Sequence, residues 1–270
     1  MYYTYRYKEN IEFAINLFKS IPQDGPLELA YSGGKDSDVL LQLARESGVE
    51  FTAIYKNTTI DPPGTIAHCH ENGVLVKNPP FTFLDIIERN GFPSRFRRFC
   101  CGYLKEYKIH DRCVLGIRKD ESPSRKKRYK EPEMCRVYDG GAKVKQYFPM
   151  LDWNLAHVYD FIIDRGIKLH PLYYDDDGKI HVERRLGCIG CPMAHDRGLK
   201  DFLKYPKMLL AQTRALQRYL DAHKNGRMFQ IYDGLAENAV CARLFPGQDV
   251  GSDPCGFLGE RFGVDFASKK

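Results

Sequence analysis

At 270 residues the chain is long enough for one large α/β domain, or for one domain plus a substantial appendage, each with an ordinary hydrophobic core. Its 41 Lys and Arg against 35 Asp and Glu give a formal charge of +6, which suits polyanionic ligands yet is too mild to establish nucleic-acid binding. The opening is polar and tyrosine-rich, and no run approaches the roughly 20 apolar residues of a spanning helix, so neither a secretory signal nor a membrane partner is expected. In the cytoplasmic chain this implies, nine cysteines point to metal binding, redox chemistry or burial rather than to a disulfide framework.

In chain order, Leu27–Tyr31 reads as a short buried strand, residues 32–37 as a polar Gly-rich turn, and Val39, Leu40 and Leu43 as the apolar stripe of a helix stopped at Gly48. Residues 51–55 supply a second strand, and residues 57–64, with Pro62 and Pro63, a loop into another helix. A third strand is expected at 74–76. Thr82 and Asp85 then make a capping-box start for a helix that turns Leu84 and Ile87 inward, with Ile86 as a further candidate. Residues 113–117 read as a fourth strand. Over 119–146 the pattern breaks into polar, basic sequence, expected to be an inserted loop, and packing resumes at 147–150 before a helix capped by Asn154. Met208, Leu209, Leu216 and Leu220 mark a long helix, and the Gly-rich tail beyond it yields no assignment. The β-then-α alternation predicts an α/β fold, a mostly parallel twisted sheet with helices on both faces, followed by a cysteine-bearing helical C-terminal region.

Ser32-Gly33-Gly34-Lys35-Asp36-Ser37 lies between a strand and a helix, so backbone N–H groups and the positive helix end can surround a pyrophosphate. Gly33 and Gly34 permit close backbone approach, Lys35 can neutralise phosphate charge, and the Ser32 and Ser37 hydroxyls can donate hydrogen bonds. The same residue types also suit a plain tight turn. The string is not a Walker loop, since Leu29 stands where that pattern needs its first glycine. SGGKDS resembles the PP-loop of the ATP pyrophosphatases, in the adenine nucleotide alpha hydrolase superfamily. Gly116-Ile117-Arg118 with Glu121, Ser122 and Arg125, then residues 149–153 and His170-Pro171-Leu172, follow in the order found in the phosphoadenosine phosphosulfate reductase family. The resemblance implies ATP with Mg²⁺, or a sulfonucleotide, in that loop. It also implies Lys35, Asp36 and Arg118 as catalytic groups, with Arg118 and Arg125 against phosphate or sulfate. Asp36 and Asp61 are candidates for Mg²⁺ or ribose contacts. The expected division is a nucleotide-binding domain over 1–185, carrying the basic insertion 119–146, and a helical region over 186–270.

Cys188-Ile189-Gly190-Cys191-Pro192 contains a CxxC able to present two thiolates to one metal or cluster, and Cys100-Cys101 supplies two more. Four thiolates suit zinc as well as a cluster. Adjacent residues on a helix point about 100° apart, so Cys135 or another thiol could replace Cys101 as a ligand. The vicinal pair with CxxC resembles the four-cysteine arrangement of 4Fe-4S adenylylsulfate reductases, and the GCxGCP string also resembles the ATP pyrophosphatases of DNA phosphorothioation. Either resemblance implies an iron–sulfur cluster on Cys100, Cys101, Cys188 and Cys191. Cys69 and Cys113 read as buried small hydrophobes. Cys241 and Cys255 fall where a sulfonucleotide reductase carries its nucleophile, but neither stands in that family's Glu-Cys-Gly-(Ile/Leu)-His tail.

Three functions follow. In the first, an acceptor oxygen attacks the α-phosphate of ATP, pyrophosphate leaves, and sulfur displaces adenylate from the activated acceptor. Family resemblance makes a cysteine desulfurase the sulfur donor and DNA phosphorothioation the nearest example. A DNA or RNA acceptor suits Arg95, Arg97 and Arg98, and again Arg125, Lys126, Lys127, Arg128 and Lys130, interleaved with Phe96, Phe99 and Tyr129; a solvated basic surface explains them equally. The alternative is an iron–sulfur sulfonucleotide reductase releasing sulfite, and the third a nucleotide-binding partner subunit without turnover. His157, His170 and His195 are acid–base candidates of a type more often structural.

Overall fold

The computed structural model describes residues 2–266, and the chain forms two compact units. The first takes the residues up to 57, 62–78 and 106–186; the second takes 58–61, 79–105 and the described residues from 187 onward. The division is therefore not the sequential one expected near residue 185, because an early amphipathic helix packs among the C-terminal ones.

In the first unit the strands are β1 (Leu27–Tyr31), β2 (Thr52–Lys56), β3 (Leu75–Lys77), β4 (Arg112–Leu115), β5 (Glu133–Val137) and β6 (Lys143–Tyr147), in the order β3-β2-β1-β4-β6-β5. Every neighbouring pair is parallel except β5 with β6. Helices α1 (Tyr2–Ser20), α2 (Lys35–Ser47) and α3 (Thr65–Glu71) belong here, as do α6 (Pro123–Arg128) and α7 (Leu155–Arg165). Alternate residues Leu27, Leu29 and Tyr31 of β1 enter one core with Ala14 and Phe18 of α1, Val39, Leu40 and Leu43 of α2, and Val158, Phe161 and Ile162 of α7. Chain order reverses at β1, which has β2 on one side and β4 on the other. Such a switch point opens a crevice beyond the carboxyl ends of the two strands, and the segments leaving β1 and β4 are those carrying residues 32–37 and Arg118.

Residues 119–146 are not a loop, as the composition suggested. They form a short 3-10 turn, α6 and the β5–β6 hairpin, which extends the sheet. Along β5 exposed and half-buried residues alternate, and Glu133 pairs with Lys145 at 3.1 Å across the hairpin. The polarity is that of a protected edge strand.

The second unit is helical: α4 (Phe83–Asn90), α5 (Phe99–Leu104), α8 (Leu199–Lys204), α9 (Pro206–Ala222), α10 (Arg227–Ile231), α11 (Ala236–Leu244) and α12 (Pro254–Phe262). The capping box that starts α4 is present, Asp85 accepting the Thr82 N–H while the Thr82 hydroxyl accepts that of Asp85. Ile86 and Ile87 of α4 pack with Leu216 and Leu220 of α9, which is what draws residues 79–105 into this unit. Among the described residues no helix is long and apolar enough to cross a membrane.

Candidate functional site

The loop after β1 is shaped by sterics. Gly33 has φ +75°, and a Cβ there would stand 3.1 Å from both Leu186 Cδ2 and Thr65 Cγ2, so a side chain has neither the backbone conformation nor the room. Gly34 is the N-cap of α2 and supplies no side-chain cap, which leaves first-turn N–H groups to other acceptors. The Lys35 N–H donates to the Tyr173 hydroxyl at 3.2 Å, and the same oxygen accepts from Leu186 N–H at 3.3 Å. Burial pushes the Tyr173 hydroxyl up to about 12, so it keeps its proton. Ser37 Oγ donates to the Gly34 carbonyl at 2.7 Å and Ser32 Oγ to Ser37 Oγ at 3.2 Å, which ties the loop to the helix.

Two buried cations share one carboxylate at this helix end. Lys35 Nζ lies 2.9 Å from Asp36 Oδ2 and Arg118 Nε 2.7 Å from Asp36 Oδ1; the two cations are 5% and 3% exposed as residues. Arg118 Nη1 reaches Asp120 only at 3.4 Å, and that carboxylate is half exposed and weakly screening. Positive charge therefore gathers at the α2 N-terminus, an arrangement that can take the phosphates of a nucleotide. Gly116 makes the approach possible, since a Cβ there would stand 3.0 Å from the Asp36 carbonyl. Arg125 stands apart from this group, ion-paired with Glu121, which also accepts the Arg118 N–H at 3.2 Å and lies 3.7 Å from Arg185.

Sequence reasoning missed the support behind the loop. Asp38, one residue past the motif and 3% exposed, accepts from the Tyr31 hydroxyl and from His68 Nε2 at 3.0 Å. Burial raises its carboxyl pKa, with the bonds from His68 and Tyr31 opposing the rise. His170 Nδ1 accepts the Leu172 N–H at 3.1 Å, so its Nε2 faces the Thr65 hydroxyl, 3.4 Å away, beside Gly33. His157 caps α7 through Asn154, and burial lowers its pKa, while His195 is exposed. The first two histidines thus hold backbone in place.

In the second unit Cys100, Cys101, Cys188 and Cys191 line one cavity with Ile60, Phe83 and Lys105. The vicinal thiols share a hydrogen bond, which together with Arg98 holds Cys101 down to about 6 and, with burial, raises Cys100. Burial pushes Cys188 up to about 11, opposed by the Lys105 ammonium beside it. Arg243 faces Cys191 and Cys100 and donates to the Gly190 carbonyl. Among the described residues no group of three or more His, Cys, Asp or Glu side chains is gathered tightly enough for a single metal ion. A cubane spreads its four thiolates more widely than one ion does, and four thiols around an apolar cavity ringed by Lys105, Arg98 and Arg243 fit an anionic cluster. Asp61 belongs to this unit and faces Lys105.

The other cysteines lie elsewhere. Cys135 is exposed on β5 of the first unit, and Cys69 and Cys113 are buried there. Cys241 is 2% exposed and Cys255 partly buried; burial pushes the first up to about 11 and raises the second.

Comparison with known proteins matches residues 26–194 to the phosphoadenosine phosphosulfate reductase domain. An uncharacterized protein of Methanocaldococcus jannaschii is 25% identical over 241 residues, covering 82% of this chain and 47% of its own. Sulfate adenylyltransferase subunit 2 of Shewanella amazonensis is 24% identical over 60% of this chain and 65% of its own. The chain thus spans from about half to under two thirds of the length of these relatives. Among solved structures, phosphoadenylyl-sulfate reductase from Candida auris aligns with a TM-score of 0.44 at 13% identity, over 65% of this chain and 87% of that one.

Proposed function

The chain belongs to the phosphoadenosine phosphosulfate reductase domain family, and from that premise we propose that it is an ATP pyrophosphatase that adenylylates an acceptor for sulfur transfer. The observation that carries this reading is the pairing of two buried cations, Lys35 and Arg118, on Asp36 at the start of α2. MgATP enters as substrate with its phosphates at residues 32–37. Lys35 and Arg118 exchange the Asp36 carboxylate for phosphate oxygens and stabilise charge on the departing pyrophosphate. An acceptor oxygen attacks the α-phosphorus, the bond to the β-phosphate bridge breaks, and adenylate becomes the leaving group for an incoming sulfur. A relative named as a sulfate adenylyltransferase subunit supports adenylyl transfer to an oxygen acceptor.

Cys100, Cys101, Cys188 and Cys191 would hold a 4Fe-4S cluster, which would supply a site for electrons or sulfur; zinc is the alternative, and it needs thiolates gathered at about 2.3 Å from one ion. The acceptor we favour is nucleic acid, a reading supported by the exposed basic stretch Arg95, Arg97 and Arg98, of which Arg97 is the one suited to a phosphate contact. A cysteine desulfurase is the matching sulfur donor, and a second subunit the matching partner.

The reductase reading needs a thiolate to attack the sulfur of an adenylylated sulfate and expel sulfite. Cys241 and Cys255 both have raised pKa values, which speaks against either as that nucleophile. A nucleotide-binding partner subunit without turnover would hold ATP on the same cations and release no pyrophosphate, which is the outcome that separates it from the enzyme. Lys35→Ala tests the proposal: ATP affinity and pyrophosphate release should both fall by more than tenfold, and unchanged values would remove the loop from the mechanism.

A further inference from the structure

We propose that Phe96 is a stacking finger for an unpaired base of a single-stranded nucleic acid, an inference that deepens the acceptor reading above and rests on it. Residues 94–97 form a closed turn, the Ser94 N–H donating to the Arg97 carbonyl at 3.1 Å and the Arg97 N–H to Ser94 Oγ at 3.1 Å. Phe96 occupies the third position of that turn and is 98% exposed. Arg95 pins the turn from below: its Nε donates to the Pro192 carbonyl at 3.1 Å and its Nη2 to that of Ala194 at 2.8 Å, in the segment that follows Cys191. The phenyl ring is therefore held out by a braced scaffold.

Of the three aromatics interleaved with the basic stretches, only this one projects. Phe99 packs against the helical core of the second unit. Tyr129 is buried edge-on against Phe148, with ring centroids 5.0 Å apart. Around Phe96 the neighbours in sequence, Arg95, Arg97 and Arg98, are all exposed, and no salt bridge engages Arg97 among the described residues. An exposed ring beside a guanidinium matches a base on a phosphate chain, the ring stacking on the base and Arg97 meeting an adjacent phosphate. A duplex hides its base faces, so the finger selects a single strand or an extruded base.

The test is fluorescence anisotropy of a labelled oligodeoxythymidylate, and of a duplex of equal length, on the full chain. Wild type binds the single strand more tightly than the duplex. F96A weakens the single strand by about five- to a hundredfold, the loss of one stacked base, and melts with wild type because the ring has no packing to lose. F96W keeps the affinity, and the indole it introduces is quenched by the oligonucleotide, while the emission of the buried native Trp153 stays constant and is subtracted as the wild-type signal. ATP affinity of F96A stays at the wild-type value, so a failure of the nucleotide reading shows separately as wild type that binds no ATP. Wild-type oligonucleotide affinity in F96A, or an unquenched F96W, overturns the proposal. So does wild type that ignores the oligonucleotide, which would assign the finger to an apolar pocket on a protein partner.

Discussion

Replacing Gly33 by alanine tests the loop against a control inside the same helix unit. Gly33 (φ +75°) and Gly48 (φ +71°) flank α2 and both hold left-handed backbone, which costs alanine about 1–2 kcal/mol. They differ in room, because a Cβ at 33 meets two side-chain carbons at 3.1 Å while a Cβ at 48 meets nothing within 4 Å. Gly48→Ala should lose the backbone cost alone, a fall in melting temperature of about 2–8 °C for a unit of this size. Gly33→Ala should lose about 1 kcal/mol more as Leu186 and Thr65 are displaced. It should also weaken ATP at least about tenfold, or about 1.4 kcal/mol, because the loop moves off the phosphates. Scanning calorimetry gives the melting temperatures and titration calorimetry the ATP affinity, for both variants and wild type. A Gly33→Ala protein that melts low yet binds ATP as wild type does would refute the claim that this loop receives phosphate.

Anaerobically purified Cys100→Ser, Cys101→Ser, Cys188→Ser and Cys191→Ser should each lose iron and acid-labile sulfide, with Cys135→Ser unchanged; stoichiometric zinc without sulfide would replace the cluster by the alternative. Cys241→Ser and Cys255→Ser should leave pyrophosphate release intact; sulfite release from adenylylated sulfate by wild type that either substitution abolishes would bring the reductase reading forward. Asp85 titrates below the usual carboxylate value because it accepts the Thr82 N–H and hydroxyl. A carboxyl lowered in the folded state stabilises above its unfolded pKa and stops doing so as pH falls through the folded one. The melting-temperature gap between wild type and Asp85→Asn should therefore be full near about pH 7 and close below about pH 4; a gap that does not change with pH would contradict the capping box.

What could be read from the sequence was whatever local chemistry decides. The strand–SGGKDS–helix unit, the Thr82–Asp85 box and the Asn154 cap each depend on residues within one turn of one another, and each stands where it was expected. Helix α1 escaped notice because its sequence is rich in polar and charged residues, although Tyr7, Ala14 and Phe18 recur at helical spacing on the buried side. The β5–β6 hairpin was taken for a loop because an edge strand carries polar residues for its own protection. Tyr173 at the loop and His68 on Asp38 are brought there only by the fold, from the turn after α7 and from α3 respectively, so no spacing rule could name them. The discontinuous second unit is likewise a consequence of tertiary packing of α4 on α9.

The central claim is that this chain splits ATP between its α- and β-phosphates. Anaerobically purified protein should be given MgATP, single-stranded nucleic acid and a sulfide source, and in parallel adenylylated sulfates with a thiol reductant, with pyrophosphate and sulfite measured in the two reactions. The account predicts pyrophosphate that disappears in Lys35→Ala, and no sulfite. Sulfite release with no pyrophosphate would contradict it and make the chain a reductase.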